Sequence, residues 1–274
     1  VCDELEIKSL NVVAPATHDT ASAITGFPII DNKRNTLLIS MGTWGILIQE
    51  TISPIINDTV YNEGFANEAG VEGLNMLVTN ITGLWIIQQC MLKWRKEKGS
   101  DFDWKDIDLI FPLEKPFLSY IDIDDPVFAP ISADMTETVK KYCRLKNQAV
   151  PVSIGQMARV LYENLVFKIK NKLESIENIT GIKIDDIHIV GGGSRNKLFC
   201  QWISDATGLP LSAGPAETTS VGNLLMQLKA AGEIKNLSEG RQIAFNSSEI
   251  LKYEPDMGSK EIWEENYLNY LKVL

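Results

Sequence analysis

Nowhere in its 274 residues does the chain carry an apolar run of the roughly 18 residues a membrane helix needs, so no membrane partner is expected. Its first residues, Val1-Cys2-Asp3-Glu4-Leu5-Glu6, have neither a basic n-region nor an apolar h-region, which excludes a secretory signal there. They also lack a starting Met, so the expectation is a cytoplasmic chain that continues a longer parent. Basic residues are short: 26 Lys and Arg against 36 Asp and Glu leave a net charge of −10. Nucleic acid is therefore not an expected partner, since it demands a basic patch. A phosphate ligand stays open, because amides at helix starts hold phosphates without side-chain charge. Cys2, Cys90, Cys143 and Cys200 are widely spaced and form no CxxC, which argues for reduced thiols and against a disulfide frame or a zinc site. Sequons at Asn57, Asn80, Asn178, Asn236 and Asn246 are chance matches without a signal peptide. Internal repeats and low-complexity tracts are missing too.

What is present is ordinary globular material, 45% hydrophobic and 23% charged, long enough for one large domain or one domain plus part of another. Residues 11–15 read as a short buried strand, followed by a loop at His18-Asp19-Thr20 and a helical Ala21 to Ile24. Thr36 to Met41 and Trp44 to Gln49 are β-rich runs hinged on Gly42-Thr43, the pattern of a hairpin. Apolar spacing predicts one helix from about Leu74 through Lys98 and a shorter one from Asp101 to Phe111. Pro112 to Pro130 reads as a loop insertion, and Thr136 to Leu145 and Ser153 to Ile176 as helices, the second with one long apolar stripe. A strand at Ile187–Val190 runs into Gly191-Gly192-Gly193. Then follow a helix (Lys197 to Thr207), a strand (Pro210 to Ala213), a Gly214-Pro215 turn, a helix (Thr218 to Ala231) and a last amphipathic helix from Lys260. Clustered strands followed by strand–helix alternation give an α/β domain.

Four segments could carry chemistry. Gly191-Gly192-Gly193, between a buried strand and a helix, lets the backbone approach a ligand and frees helix-start amides, as a nucleotide needs. It is neither GxGxxG nor a Walker loop, and alone it serves equally well as a tight turn. Gly214 to Asn223 places a second small-residue turn on the next strand, which points to a shared pocket, although Glu217 and Thr218 could simply serve a helix start. Ser40-Met41-Gly42-Thr43-Trp44 could offer an amide and a hydroxyl to a phosphate, or be a hairpin turn with a buried Trp. Asp19 could be a general base at a strand end or an ordinary helix cap.

The order and spacing of these segments resemble the FGGY carbohydrate kinases, and within them the rhamnulokinases. The shared stretches are Ala16-Thr-His-Asp-Thr-Ala-Ser-Ala23, Gly42-Thr43-Trp44, Asn67-Glu68-Ala69-Gly70 with Glu72-Gly73, Asn80-Ile81-x-Gly83-Leu84-Trp85 with Gln88, Gly191-Gly-Gly193-x-x-Asn196, and Gly214-Pro-x-Glu217 with Gly222-Asn223. Ala16-Thr17-His18-Asp19 and the Gly42-Thr-Trp-x-Ile-Leu47 run also look like L-fuculokinases, and Ala69 stands where rhamnulokinases usually have Gly. The resemblance covers residues 11–256 and implies an actin/hexokinase-like (ribonuclease H-like) ATPase domain, the C-terminal lobe of a two-lobed sugar kinase. Residues 1–33 would end the N-terminal sugar-binding lobe, 34–256 form the nucleotide-binding lobe and 257–274 a terminal helix. It implies Asp19 as the base that deprotonates the sugar C1 hydroxyl, with His18 and Thr20 helping to hold the ketose. Thr43 would meet the γ-phosphate, with Asn80 and Gln88 near the nucleotide and Gly192 and Asn196 at its ribose or adenine. ATP and Mg²⁺ are the implied cofactors, L-rhamnulose the leading ketose and L-fuculose the next. The N-terminal lobe of the same parent chain is the implied partner, and without it the chain would bind adenine nucleotide weakly and phosphorylate nothing. A non-catalytic sugar or nucleotide sensor, and an actin- or chaperone-like ATPase, are the readings from other classes.

Overall fold

The computed structural model describes residues 2–29, 35–131 and 134–274. Its chain runs α1 (Asp19–Thr25), β1 (Thr36–Met41), β2 (Trp44–Thr51), α2 (Asp58–Asn62), β3 (Phe65–Ala69), β4 (Asn75–Thr82), α3 (Trp85–Lys98) and α4 (Trp104–Ile110). It continues through α5 (Met135–Leu145), α6 (Ile154–Thr180), β5 (Asp186–Val190), α7 (Lys197–Thr207), β6 (Leu211–Ala213), α8 (Thr218–Ala230), α9 (Leu237–Asn246), β7 (Leu251–Tyr253) and α10 (Lys260–Leu271). The strands form one sheet in the order β3-β4-β2-β1-β5-β6-β7, with β1, β5 and β6 parallel and the others antiparallel. The expected domain boundary between residues 33 and 34 lies outside the described residues.

Alternation along each strand sorts the core into two layers. Leu37, Ile39, Leu47, Leu77, Ile187 and Ile189 point to the face covered by α3, α6, α7 and α10. Leu38, Ile48, Met76, Val78 and Val190 point to the other, against Ala21, Ile24 and Phe27 of the α1 segment. Strands covered on both faces read as continuous apolar runs, with no alternation to mark them.

That is why the helix expected from Leu74 is a strand for its first third. Met76 and Val78 fill one layer and Leu77 and Ile81 the other, a pattern that fits either period. The structural tie is the β-branched content of Val78-Thr79-Ile81-Thr82 and the stop at Gly83. A Cβ on Gly83 would sit 2.6 Å from Gly42 O, so the chain crosses the β1–β2 turn there and only then becomes helical. The strand expected at 11–15 is also corrected. Those residues form no regular element, pair with no strand, and leave Val12 87% exposed. Pro15 lacks a donor for a ladder, and an apolar run this short cannot hold itself extended without a neighbour. β3, α9 and β7 were not expected at all. The β1–β2 hairpin, α5, α6, β5, α7, β6, α8 and α10 follow the sequence reading to within a few residues.

The Pro112–Pro130 segment is not a loose insertion. α6 pins it with buried polar side chains: Asn164 bonds Ile121 N and Ser119 O, and Lys168 pairs with Asp122 and Asp124. Arg159, held by Glu163 at 2.8 Å, donates to Pro112 O and Glu114 O. Such pairing is what makes buried charges tolerable. Asp124 then accepts Thr82 N at 2.6 Å, so the segment braces the end of β4 beside the Gly42-Thr43 turn.

Candidate active site

The carboxyl ends of β1 and β5 meet at the Gly42-Thr43 turn and the Gly191–Gly193 loop. α3 is anchored on that turn, since Leu84 N donates to Gly42 O at 2.8 Å and Trp85 N to Thr43 O at 3.2 Å. This fixes Gln88 one turn along, where its Oε1 accepts from Thr43 Oγ1 at 3.0 Å. Beside the pair lies a cavity of about 410 Å³, walled by Gln88, Gly192, Asn196, Tyr162, Trp104 and Asp108 among others. Open α/β sheets bind ligands in such a crevice beyond the strand ends.

The three loop glycines have different reasons to be glycine. Gly191 has φ 83°, and a Cβ there would meet Met41 O at 2.7 Å. A Cβ on Gly193 would collide with the Met41 side chain. Gly192 meets only Met41 O, at 4.0 Å, so packing does not require it to be bare. It lines the cavity, where a missing side chain lets a ligand touch the backbone. Asn196 is committed at both ends: it caps α7 through Phe199 N at 2.9 Å and donates to Asp108 Oδ1 at 2.8 Å. Burial holds the Asp108 carboxyl above the usual carboxylate range and pushes the Tyr162 hydroxyl up. The second small-residue turn, Gly214–Glu217, approaches this cavity through Glu217, 4.0 Å from the lining residue Arg195.

On the other face, α1 starts at Asp19. His18 caps it, Nδ1 accepting from Ala21 N at 3.3 Å, so the capping role weighed for Asp19 belongs to its neighbour. The Asp19 carboxylate accepts from Thr20 N at 2.9 Å and is exposed. His18 Nδ1 also lies 3.8 Å from Glu68 Oε2 on β3, which joins two motifs the sequence kept apart.

Two features hold α1 in place, and sequence reasoning missed both. Gly26 and Gly222 bring α1 and α8 into backbone contact: a Cβ on Gly222 would overlap the carbonyl oxygen of Ser22, and one on Gly26 that of Thr218. Arg241 of α9 pairs with Glu50 and donates to Ile24 O. The pair Gly222-Asn223 was visible as a motif, but no local signal marked Arg241 or the α4 residues Trp104 and Asp108.

The structure thus brings Thr43, Gln88, Gly192 and Asn196 together and keeps His18, Asp19 and Thr20 on the α1 side. Asn80 does not wall the cavity: it is exposed on β4, opposite Ile46, on the α1 face of the sheet. Trp44, weighed as a buried hairpin residue, is 63% exposed. Among the described residues no group of three or more His, Cys, Asp or Glu could hold a metal ion, and no helix is long and apolar enough to cross a membrane.

Residues 37–231 match the model of the C-terminal domain of the FGGY family of carbohydrate kinases. The chain is 35% identical over 263 residues to a rhamnulokinase of Bacteroides thetaiotaomicron, covering 96% of this chain and 52% of that one. It is 32% identical over 272 residues to a rhamnulokinase of Bacillus subtilis, covering 99% and 55%. The chain therefore spans about half the length of the curated relatives it matches. In fold it resembles a xylulose kinase of Rhodospirillum rubrum (TM-score 0.66, 13% identity, 93% of this chain and 49% of that). It equally resembles a Plasmodium falciparum glycerol kinase solved with ADP (TM-score 0.66, 15% identity, 93% and 49%). The expected actin/hexokinase-like lobe is the fold observed.

Proposed function

The chain belongs to the FGGY family of carbohydrate kinases, and on that footing we propose that it is the base-bearing and nucleotide-holding half of an ATP-dependent ketose kinase. The observation that carries this reading is the division of the site. Gln88, hydrogen-bonded to Thr43, and Gly192 wall one cavity, while Asp19 begins α1, whose Ala21 and Ile24 pack on the other face of the same sheet. A phosphoryl donor and its acceptor must each be held so that their reacting atoms meet, since the transfer asks mainly for positioning and charge neutralisation.

In the proposed reaction Asp19 accepts the proton of the ketose C1 hydroxyl as that oxygen attacks the γ-phosphorus, and ADP leaves with the electron pair of the broken bond. Thr43 Oγ, placed by Gln88, faces the transferred phosphoryl group, and Gly192 lies against the nucleoside. His18 shapes the start of α1 and, with Thr20, flanks the ketose. Mg²⁺ would arrive on the phosphates and neutralise their charge. The rhamnulokinase names of the curated relatives support L-rhamnulose as the ketose, with L-fuculose second. The remaining half of such a kinase would complete the sugar pocket, so this chain alone binds adenine nucleotide weakly and does not turn over.

A coupled assay on the protein from its whole coding sequence tests this with L-rhamnulose, L-fuculose and other ketoses. ADP release that depends on L-rhamnulose supports the reading, and ATP hydrolysis indifferent to every ketose refutes it.

A further inference from the structure

Of the six tryptophans only Trp44 is exposed, at 63%, while the other five are buried or half-buried. A large aromatic ring exposed on the first residue of a strand has a whole face open to stack on a ligand. Its backbone is rigidly held. Gly42 N donates to Trp44 O at 2.9 Å, and Gly83 packs so tightly that a Cβ there would lie 2.6 Å from the Trp44 carbonyl carbon. The strand position from which the indole projects is thus fixed.

Its direction follows from the strand. Ile46 and Ile48 belong to the α1 layer, so Trp44, two residues before Ile46, projects on that face. Trp44 pairs with Thr82 at the end of the ladder, and Asn80, exposed and opposite Ile46, is its diagonal neighbour. An aromatic plane beside a free amide is what a sugar uses, its C–H face on the ring and its hydroxyls on the amide. The nucleotide-side cavity is walled by other residues, and Trp44 is not among them. Thr43 meets Gln88 on the nucleotide side, and the next residue turns to the face on which α1 packs. What receives the phosphoryl group must lie within bonding reach of its γ-phosphorus, hence beside this turn.

We propose that Trp44 is the stacking platform of the acceptor ketose and a determinant of its affinity. This rests on the ketose-kinase reading above.

The test is steady-state kinetics of Trp44→Ala and Trp44→Phe in the protein from its whole coding sequence, with KM measured separately for L-rhamnulose and ATP, alongside thermal unfolding. The ketose KM should rise about tenfold or more in the Ala variant and stay within about threefold in the Phe variant, with the ATP KM and unfolding midpoint little changed. Wild-type turnover with an unchanged ketose KM in Trp44→Ala overturns the platform and leaves the kinase reading standing. A lowered midpoint with both KM values raised together also overturns it, because the indole would then be packed against another part of the protein. A wild type that phosphorylates no ketose removes the kinase reading and the platform with it.

Discussion

Arg241 donates from Nη2 to the main-chain oxygen of Ile24 at 3.1 Å, tying α9 to the last turn of the helix that begins at Asp19. The same guanidinium, only 3% exposed, lies 2.5 Å from Glu50 Oε1 on β2. A cation at a helix C-terminus complements its dipole, and the buried pair makes each partner depend on the other. Arg241→Met should therefore cost about 3 kcal/mol in urea unfolding, the low end for a buried pair because Glu50 keeps some solvent. Pairing it with Glu50→Leu should recover most of the loss, and no recovery would argue against the pairing.

Gly222 works by the same logic on the other side of α1. Its Cβ would overlap a carbonyl oxygen, which has no rotamer to give way, so Gly222→Ala should push α1 from α8. Overpacking of this kind costs roughly 1–3 kcal/mol. In the whole protein kcat should fall more than the ATP KM changes, as checked by steady-state kinetics.

The glycine loop separates fold from ligand. Gly192→Ala should leave urea unfolding within about 0.5 kcal/mol of wild type and weaken ADP binding about tenfold by calorimetric titration. Gly193→Ala, which strikes Met41, should instead destabilise by roughly 1–3 kcal/mol. Equal ADP affinity in Gly192→Ala would remove that residue from the nucleotide site.

His188 gives a pH signature. It is buried under Phe27, its ring 5.4 Å away, with Nε2 2.7 Å from Gly214 O. Burial pushes its pKa from 6.5 down to about 4. The unfolded chain therefore takes up a proton that the folded one refuses, and this group's stability contribution is lost as pH falls from about 6.5 to about 4, roughly 3 kcal/mol in all. Burial raises Glu163 from 4.5 to about 7, which acts oppositely: its contribution is full below pH 4.5 and is lost as pH rises towards 7. The measurement is thus the difference between wild type and His188→Gln in urea unfolding at several pH values. That difference should shrink on acidification, and a flat difference would contradict the buried neutral ring.

Much of this was legible in the sequence, for identifiable reasons. Helices with one apolar stripe, such as α6, and strands closed by glycine, such as β5, announce themselves locally. β4 did not, because residues buried on both faces carry no period, and β7 is only three residues long. In the site, Thr43, Gln88 and Gly192 were found as motif members, and their convergence is visible only in space. Arg241 and Asp108 act through partners 191 and 88 residues away in sequence, Glu50 and Asn196, a relationship that no local pattern encodes.

The division of labour across the sheet stands or falls with Asp19. Asp19→Asn in the protein from its whole coding sequence, assayed for ketose-dependent ADP release alongside ADP binding, addresses it most directly. Turnover should fall by about 10²–10⁴, the span of a lost general base, with ADP affinity and unfolding unchanged. Turnover within a few-fold of wild type would contradict the role assigned to this carboxylate.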